Sequence, residues 1–122
     1  MKAEPLKILL VEDEAIVAMM TQTHLEARGH SVVVAATGAA AVQCASQAAP
    51  DVVIMDVHLT GTMDGIEAAS EMQKEGQVPV IFVTGYADAA LRQRAAPCSP
   101  LAYLVKPVSM QDIIAALECV PR

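Results

Sequence analysis

Five polar residues of unlike chemistry follow the short apolar runs of this chain. Glu12 and Asp13 come after residues 7–11, Asp56 after 51–55, Thr84 after 80–83, and Lys106 with Pro107 after 102–105. If these runs are strands of one parallel sheet, all five residues stand at its carboxyl rim, where open α/β sheets bind ligands. Three carboxylates gathered there repel one another, and a divalent cation among them makes the arrangement tolerable. Donors that are all oxygen favour Mg2+. A carboxylate beside such a cation, with a lysine and a threonine to hold equatorial oxygens, is equipped to accept a phosphoryl group by in-line attack. Asp56 then supplies the attacking oxygen, and Lys106 and the metal neutralise charge. Taken singly, Glu12 and Asp13 also read as acids favoured at a helix N-terminus, and Asp56 and Lys106 as a solvated pair. Their joint placement at four strand ends argues for a site.

The elements that must place these residues are legible in the alternation of apolar runs with stretches of helical period, five rounds in all. The strands read as residues 7–11, 30–34, 51–55, 80–83 and 102–105. The run Val52-Val53-Ile54-Met55 is apolar throughout, as in a central strand covered on both faces. The first helix is expected over 14–28, with Ile16, Met19, Met20, Thr23 and Ala27 on the buried stripe and Gly29 ending it. Thr37 is placed to cap a second helix over 38–48, with Ala41, Val42, Ala45 and Ala49 inward. A third, over 65–75, turns Ile66, Ala69 and either Met72 or Gln73 to the core. A short fourth helix starts near Asp88 and must end before Pro97. Ser109 caps the fifth, with Asp112 in a variant capping box and Met110, Ile113, Ile114 and Leu117 inward. The fold class is therefore α/β, a doubly wound parallel sheet with helices on both faces.

Composition closes off other classes. At 122 residues the chain is one domain, 1–122, and it stops just after the fifth helix, so no output domain is expected. Hydrophobic residues make up 54% and charged residues 18%, which argues for a packed core and against disorder. Phe82, Tyr86 and Tyr103 are the aromatics, so the core is mostly aliphatic. The net charge of −6, with no cluster of Lys or Arg, argues against direct nucleic-acid contact. No apolar run reaches the roughly 20 residues of a membrane span, and no signal h-region opens the chain, so a cytoplasmic protein is expected. Cys44, Cys98 and Cys119 have neither pairing nor zinc spacing. Ser-His-Asp, GxxxxGK[ST] and GxGxxG patterns are absent, and Gly61-Thr62-Met63-Asp64-Gly65 reads as a turn into the third helix.

Over nearly its whole length the chain resembles the receiver domains of two-component response regulators. The resemblance is carried by Ile8-Leu9-Leu10-Val11-Glu12-Asp13-Glu14, Val53-Ile54-Met55-Asp56, Met63-Asp64-Gly65, Pro79-Val80-Ile81-Phe82-Val83-Thr84 and Tyr103-Leu104-Val105-Lys106-Pro107. It implies the flavodoxin-like strand order 2-1-3-4-5. It also implies phosphorylation of Asp56 by a histidine kinase or a histidine phosphotransfer protein. Mg2+ would be held by Asp13, Asp56 and the backbone carbonyl of His58, with Glu12 contributing directly or through water. Lys106 would contact the phosphoryl oxygens, across a Lys106-Pro107 bond that is often cis in such domains. Thr84 and Tyr103 would form the switch: the hydroxyl moves toward the phosphoryl group, the ring turns into the vacated room, and the surface of the fourth helix, fifth strand and fifth helix changes. His58 and Tyr86, two residues beyond Asp56 and Thr84, would flank the path of water to the phosphoaspartate and tune its lifetime. The protein implied is a switch controlling a downstream partner, with weak phosphotransfer and hydrolysis chemistry, and not a metabolic enzyme.

Four departures from the common pattern stand out. The loop from Asp56 to Gly65 is one residue longer, Thr60 stands where proline is usual, Gly85 follows Thr84, and Ala96-Pro97-Cys98-Ser99-Pro100 replaces a glycine-bearing turn. Two rivals fit less well. A haloacid-dehalogenase-type phosphohydrolase needs Asp-x-Asp after the first strand, where this chain has Glu12-Asp13-Glu14. A flavodoxin-type cofactor binder needs a hydroxyl-rich phosphate loop there, and Glu12 and Asp13 repel phosphate.

Overall fold

Each central strand is apolar on both faces, and the two faces carry separate cores. The computed structural model describes residues 4–86 and 89–121. Its strands are β1 (Lys7–Val11), β2 (Ser31–Ala35), β3 (Val52–Asp56), β4 (Val80–Thr84) and β5 (Ala102–Val105). All pair in parallel, in the order β2-β1-β3-β4-β5, as the resemblance implies. Successive side chains of a strand point to opposite faces. Leu9, Val11, Val53, Met55, Val80 and Phe82 therefore join one core, and Ile8, Leu10, Val52, Ile54 and Ile81 join the other.

The helices are α1 (Ala15–Ala27), α2 (Gly38–Ala48), α3 (Gly65–Gln73), α4 (Ala89–Ala95) and α5 (Met110–Leu117). Ala41 of α2, Ile66, Ala69 and Met72 of α3, and Ala95 of α4 cover the first core. Ala18 and Leu25 of α1 and Ile113, Ala116 and Leu117 of α5 cover the second. Capping follows local chemistry. The Thr37 hydroxyl accepts from Ala40 N, Ser109 and Asp112 form the reciprocal box expected of them, and Asp64 with Glu67 forms another at the start of α3. Arg94 of α4 donates to the outer oxygen of that Asp64 at 2.9 Å.

Three expectations need correction. The expected stripe of α1 is not buried: Ile16, Met19 and Met20 are 74%, 64% and 58% exposed, Thr23 and Ala27 are exposed as well, and the helix instead buries Ala18 and Leu25. Apolar residues surround the first turns of α1, so periodicity alone selects no face there, and small Ala18 allows the closer approach to the sheet. Ala49 is not an inward residue of α2 but its left-handed C-cap, at φ 46°. His30, read as the first residue of the second strand, lies just ahead of β2 and is half-buried, and its Nδ1 accepts the Leu6 N–H at 3.0 Å. α4 does end ahead of Pro97, which lies in a single 3₁₀ turn, Ala96–Cys98; the expected start at Asp88 falls outside the described residues. Among the described residues no helix is long and apolar enough to cross a membrane.

Candidate functional site

Strand register brings the acidic residues together. Val11 pairs with Met55, so Glu12 and Asp13 leave β1 beside Asp56 at the end of β3. Asp56 pairs with Val83, and Thr84 with Val105, which sets Thr84 and Lys106 along the same rim. The Lys106 N–H donates to the Thr84 carbonyl at 2.7 Å, and the Lys106-Pro107 bond is cis. Opposite Asp56, the α3 N-terminus packs so tightly that a Cβ on Gly65 would collide with the Asp56 carbonyl oxygen. The Gly65 N–H donates to the Val57 carbonyl at 2.8 Å, which ties the loop end to β3.

Ligand oxygens of Glu12, Asp13 and Asp56 all lie within 4.8 Å of one another. Glu12 and Asp56 are buried, and Asp13 is half-buried. Lys106 Nζ stands 3.5 Å from Asp56 Oδ2, while Asp56 Oδ1 accepts the His58 N–H at 3.2 Å. Burial pushes the Glu12 carboxyl from 4.5 up to about 7, the neighbouring Asp56 charge adds to the rise, and the Glu14 N–H and Lys106 oppose it. Like charges crowded at low solvent exposure are the condition that a bound cation relieves. The donors are hard oxygens, so the residues present fit Mg2+.

The remaining residues of interest lie on β4, β5 and the loops that follow β3 and β4. Thr84 is fully buried, and its Oγ1 accepts the Tyr86 N–H at 3.2 Å. The His58 and Tyr86 rings meet edge-on with centroids 4.6 Å apart, and Tyr86 is exposed. Tyr103 is turned inward with its hydroxyl buried, Phe82 beside it at 6.4 Å between centroids, and the Arg92 guanidinium 4.5 Å above its ring. Room for the inward ring thus coexists with a Thr84 hydroxyl bonded to its own loop.

Sequence reading missed several contacts. Asp64-x-x-Glu67 was a visible capping pattern. The Arg92 stack on Tyr103 and the Thr60 N–H bond to Asp13 Oδ2, at 3.2 Å, join distant segments and leave no local signal.

Fold and site define a doubly wound α/β domain with an acidic, lysine-flanked aspartate at the end of its central strand. Residues 8–118 match the response regulator receiver domain family. The chain is 39% identical over 117 residues to the transcriptional regulatory protein PdtaR of Mycobacterium tuberculosis, covering 95% of this chain and 57% of that protein. Among solved structures it is similar to the signal receiver domain of a modulated diguanylate cyclase from Desulfovibrio desulfuricans. That match has a TM-score of 0.87 and 33% identity, and it covers 96% of this chain and 94% of the other. The chemotaxis protein CheY4 of Vibrio cholerae matches with a TM-score of 0.88 at 26% identity, over 97% and 100% of the two chains. The chain belongs to the response regulator receiver family of two-component signalling. It spans little more than half the length of the curated relative quoted, whose transcriptional role is a property of that whole protein.

Proposed function

We propose that this domain accepts a phosphoryl group on Asp56 from a phosphohistidine, in a Mg2+-dependent reaction, and so switches the surface formed by α4, β5 and α5 toward a downstream protein. The observation that carries the reading is the buried Asp56 carboxylate, set among Glu12 and Asp13 with Lys106 Nζ at 3.5 Å. An Asp56 oxygen attacks phosphorus, the new O–P bond forms as the N–P bond breaks, and the imidazole leaves with the electron pair. Lys106 offsets the negative charge brought in by the phosphoryl oxygens. Mg2+ would be held by Asp13, Asp56 and the His58 carbonyl, with Glu12 contributing directly or through water, and would supply further charge neutralisation. The buried Thr84 hydroxyl and the inward Tyr103 are the groups whose rearrangement carries the change outward. Water then hydrolyses the acyl phosphate, past His58 and Tyr86. The domain acts as a cytoplasmic switch and not as a metabolic enzyme.

A protein donor must bring its phosphohistidine down to a buried carboxylate, and it needs adjoining surface to rest on. Ile16, Met19 and Met20, exposed on α1 just beyond the acid pair, supply apolar surface next to the rim. The net charge of −6 supports a protein partner over a nucleic acid. The deciding experiment is incubation with a small phosphodonor and Mg2+, followed by intact mass. One phosphoryl group is expected on the wild type and none on Asp56→Asn; labelling that persists in the variant, or never occurs in the wild type, rejects the assignment.

A further inference from the structure

Every carboxylate of the rim is held by one backbone amide. Glu12 Oε2 accepts from Glu14 N, Asp56 Oδ1 from His58 N, and Asp13 Oδ2 from Thr60 N, each at 3.2 Å. Two of these bonds are local, between residues two apart in sequence; the third spans 47 positions, from the loop after β3 back to the end of β1. Thr60 occupies the place where receiver-like sequences usually carry proline, and proline has no N–H to donate. The one-residue-longer loop and the non-proline residue therefore act together: the loop reaches over the rim and presents a donor to an acid of the cluster.

We propose that Thr60 is a positioning residue, whose main-chain N–H holds Asp13 beside Glu12 and Asp56 as a preorganised cation ligand. The inference rests on reading the rim as a cation site. The physical reason is that an outer partner fixes the direction from which a ligand oxygen meets the metal, and losing such partners costs metal affinity. The Thr60 side chain plays no part, so the device separates cleanly from a side-chain effect: Thr60→Ala keeps the donor and Thr60→Pro removes it.

Mn2+ alone, followed by its paramagnetic resonance signal with Mg2+ as competitor, reads the affinity of the three proteins. Thr60→Ala is expected to match the wild type and Thr60→Pro to bind about tenfold more weakly. Amide hydrogen exchange in the metal-free protein reads the tether directly: the residue-60 N–H is expected to be protected in the wild type and in Thr60→Ala, and to exchange several-fold faster in Asp13→Ala. Equal metal affinity of Thr60→Pro and the wild type, or a residue-60 amide indifferent to Asp13→Ala, overturns the proposal. A wild type that takes up no Mn2+ rejects the cation site itself, and the exchange result still decides whether the tether exists.

Discussion

Glu12 is the acid of the rim whose charge is hardest to hold. Its carboxyl is pushed from 4.5 to about 7, first by burial and then by the Asp56 charge. The folded protein therefore binds a proton more tightly than the unfolded chain between those two values. The stability linked to this proton is present at low pH and is lost as pH rises through about 7. In chelator, Glu12→Gln is expected to be more stable than the wild type by on the order of 2 kcal/mol at pH 8 and nearly equal to it at pH 5. Urea unfolding at the two pH values checks this, and an equal gap at both sinks it. His58 and Tyr86 invite a different test. Their rings meet edge-on, 4.6 Å apart, and the His58 N–H donates to Asp56, the proposed phosphoacceptor. His58→Ala and Tyr86→Ala are each expected to open the water path and speed loss of the phosphoryl group several-fold. Unchanged decay of the phosphorylated mass in both variants would remove them from the mechanism.

Among the elements, α4 is fastened in an unusual way. Of its residues only Ala95 is buried, with Leu91 half-buried against the core. Arg94 pairs with Asp64 at the head of α3, and Arg92 lies over the Tyr103 ring of β5. One arginine thus connects the helix to the end of the loop after Asp56 and the other to Tyr103. Exposed ion pairs and cation–π contacts are each modest, so neither alone holds the helix rigidly. Arg92→Ala and Arg94→Ala are each expected to raise amide exchange over residues 89–95 about two- to fivefold while leaving α5 unchanged. Added salt should reproduce much of the Arg94 effect in the wild type. Exchange in α4 that ignores both substitutions would show that packing alone seats it.

For the molecule as a whole, the exposed side of α1 lies outside both cores, so stability and donor binding are expected to respond separately to changes there. Ile16→Asp and Met20→Asp lie on the exposed side of α1. They are expected to change stability by no more than about 0.5 kcal/mol. Labelling by a small phosphodonor should be untouched, while transfer from a phosphohistidine protein slows by about tenfold or more. Equal transfer rates would place the donor elsewhere. The five strands, the doubly wound class, the caps at Thr37 and Ser109 and the polar residues at the rim were all legible in the linear chain. Each depends on local period or on the chemistry of neighbouring residues, and strand direction follows from the alternation with helices. The face of α1 was not legible, because apolar residues surround its first turns and only the sheet beneath selects Ala18 and Leu25. Nor were the Arg92–Tyr103, Arg94–Asp64 and Thr60–Asp13 contacts, which join segments far apart in sequence. Residue type and spacing determined what chemistry the rim holds; strand register and loop path decided which groups meet there, because distances between remote segments exist only after the chain has packed.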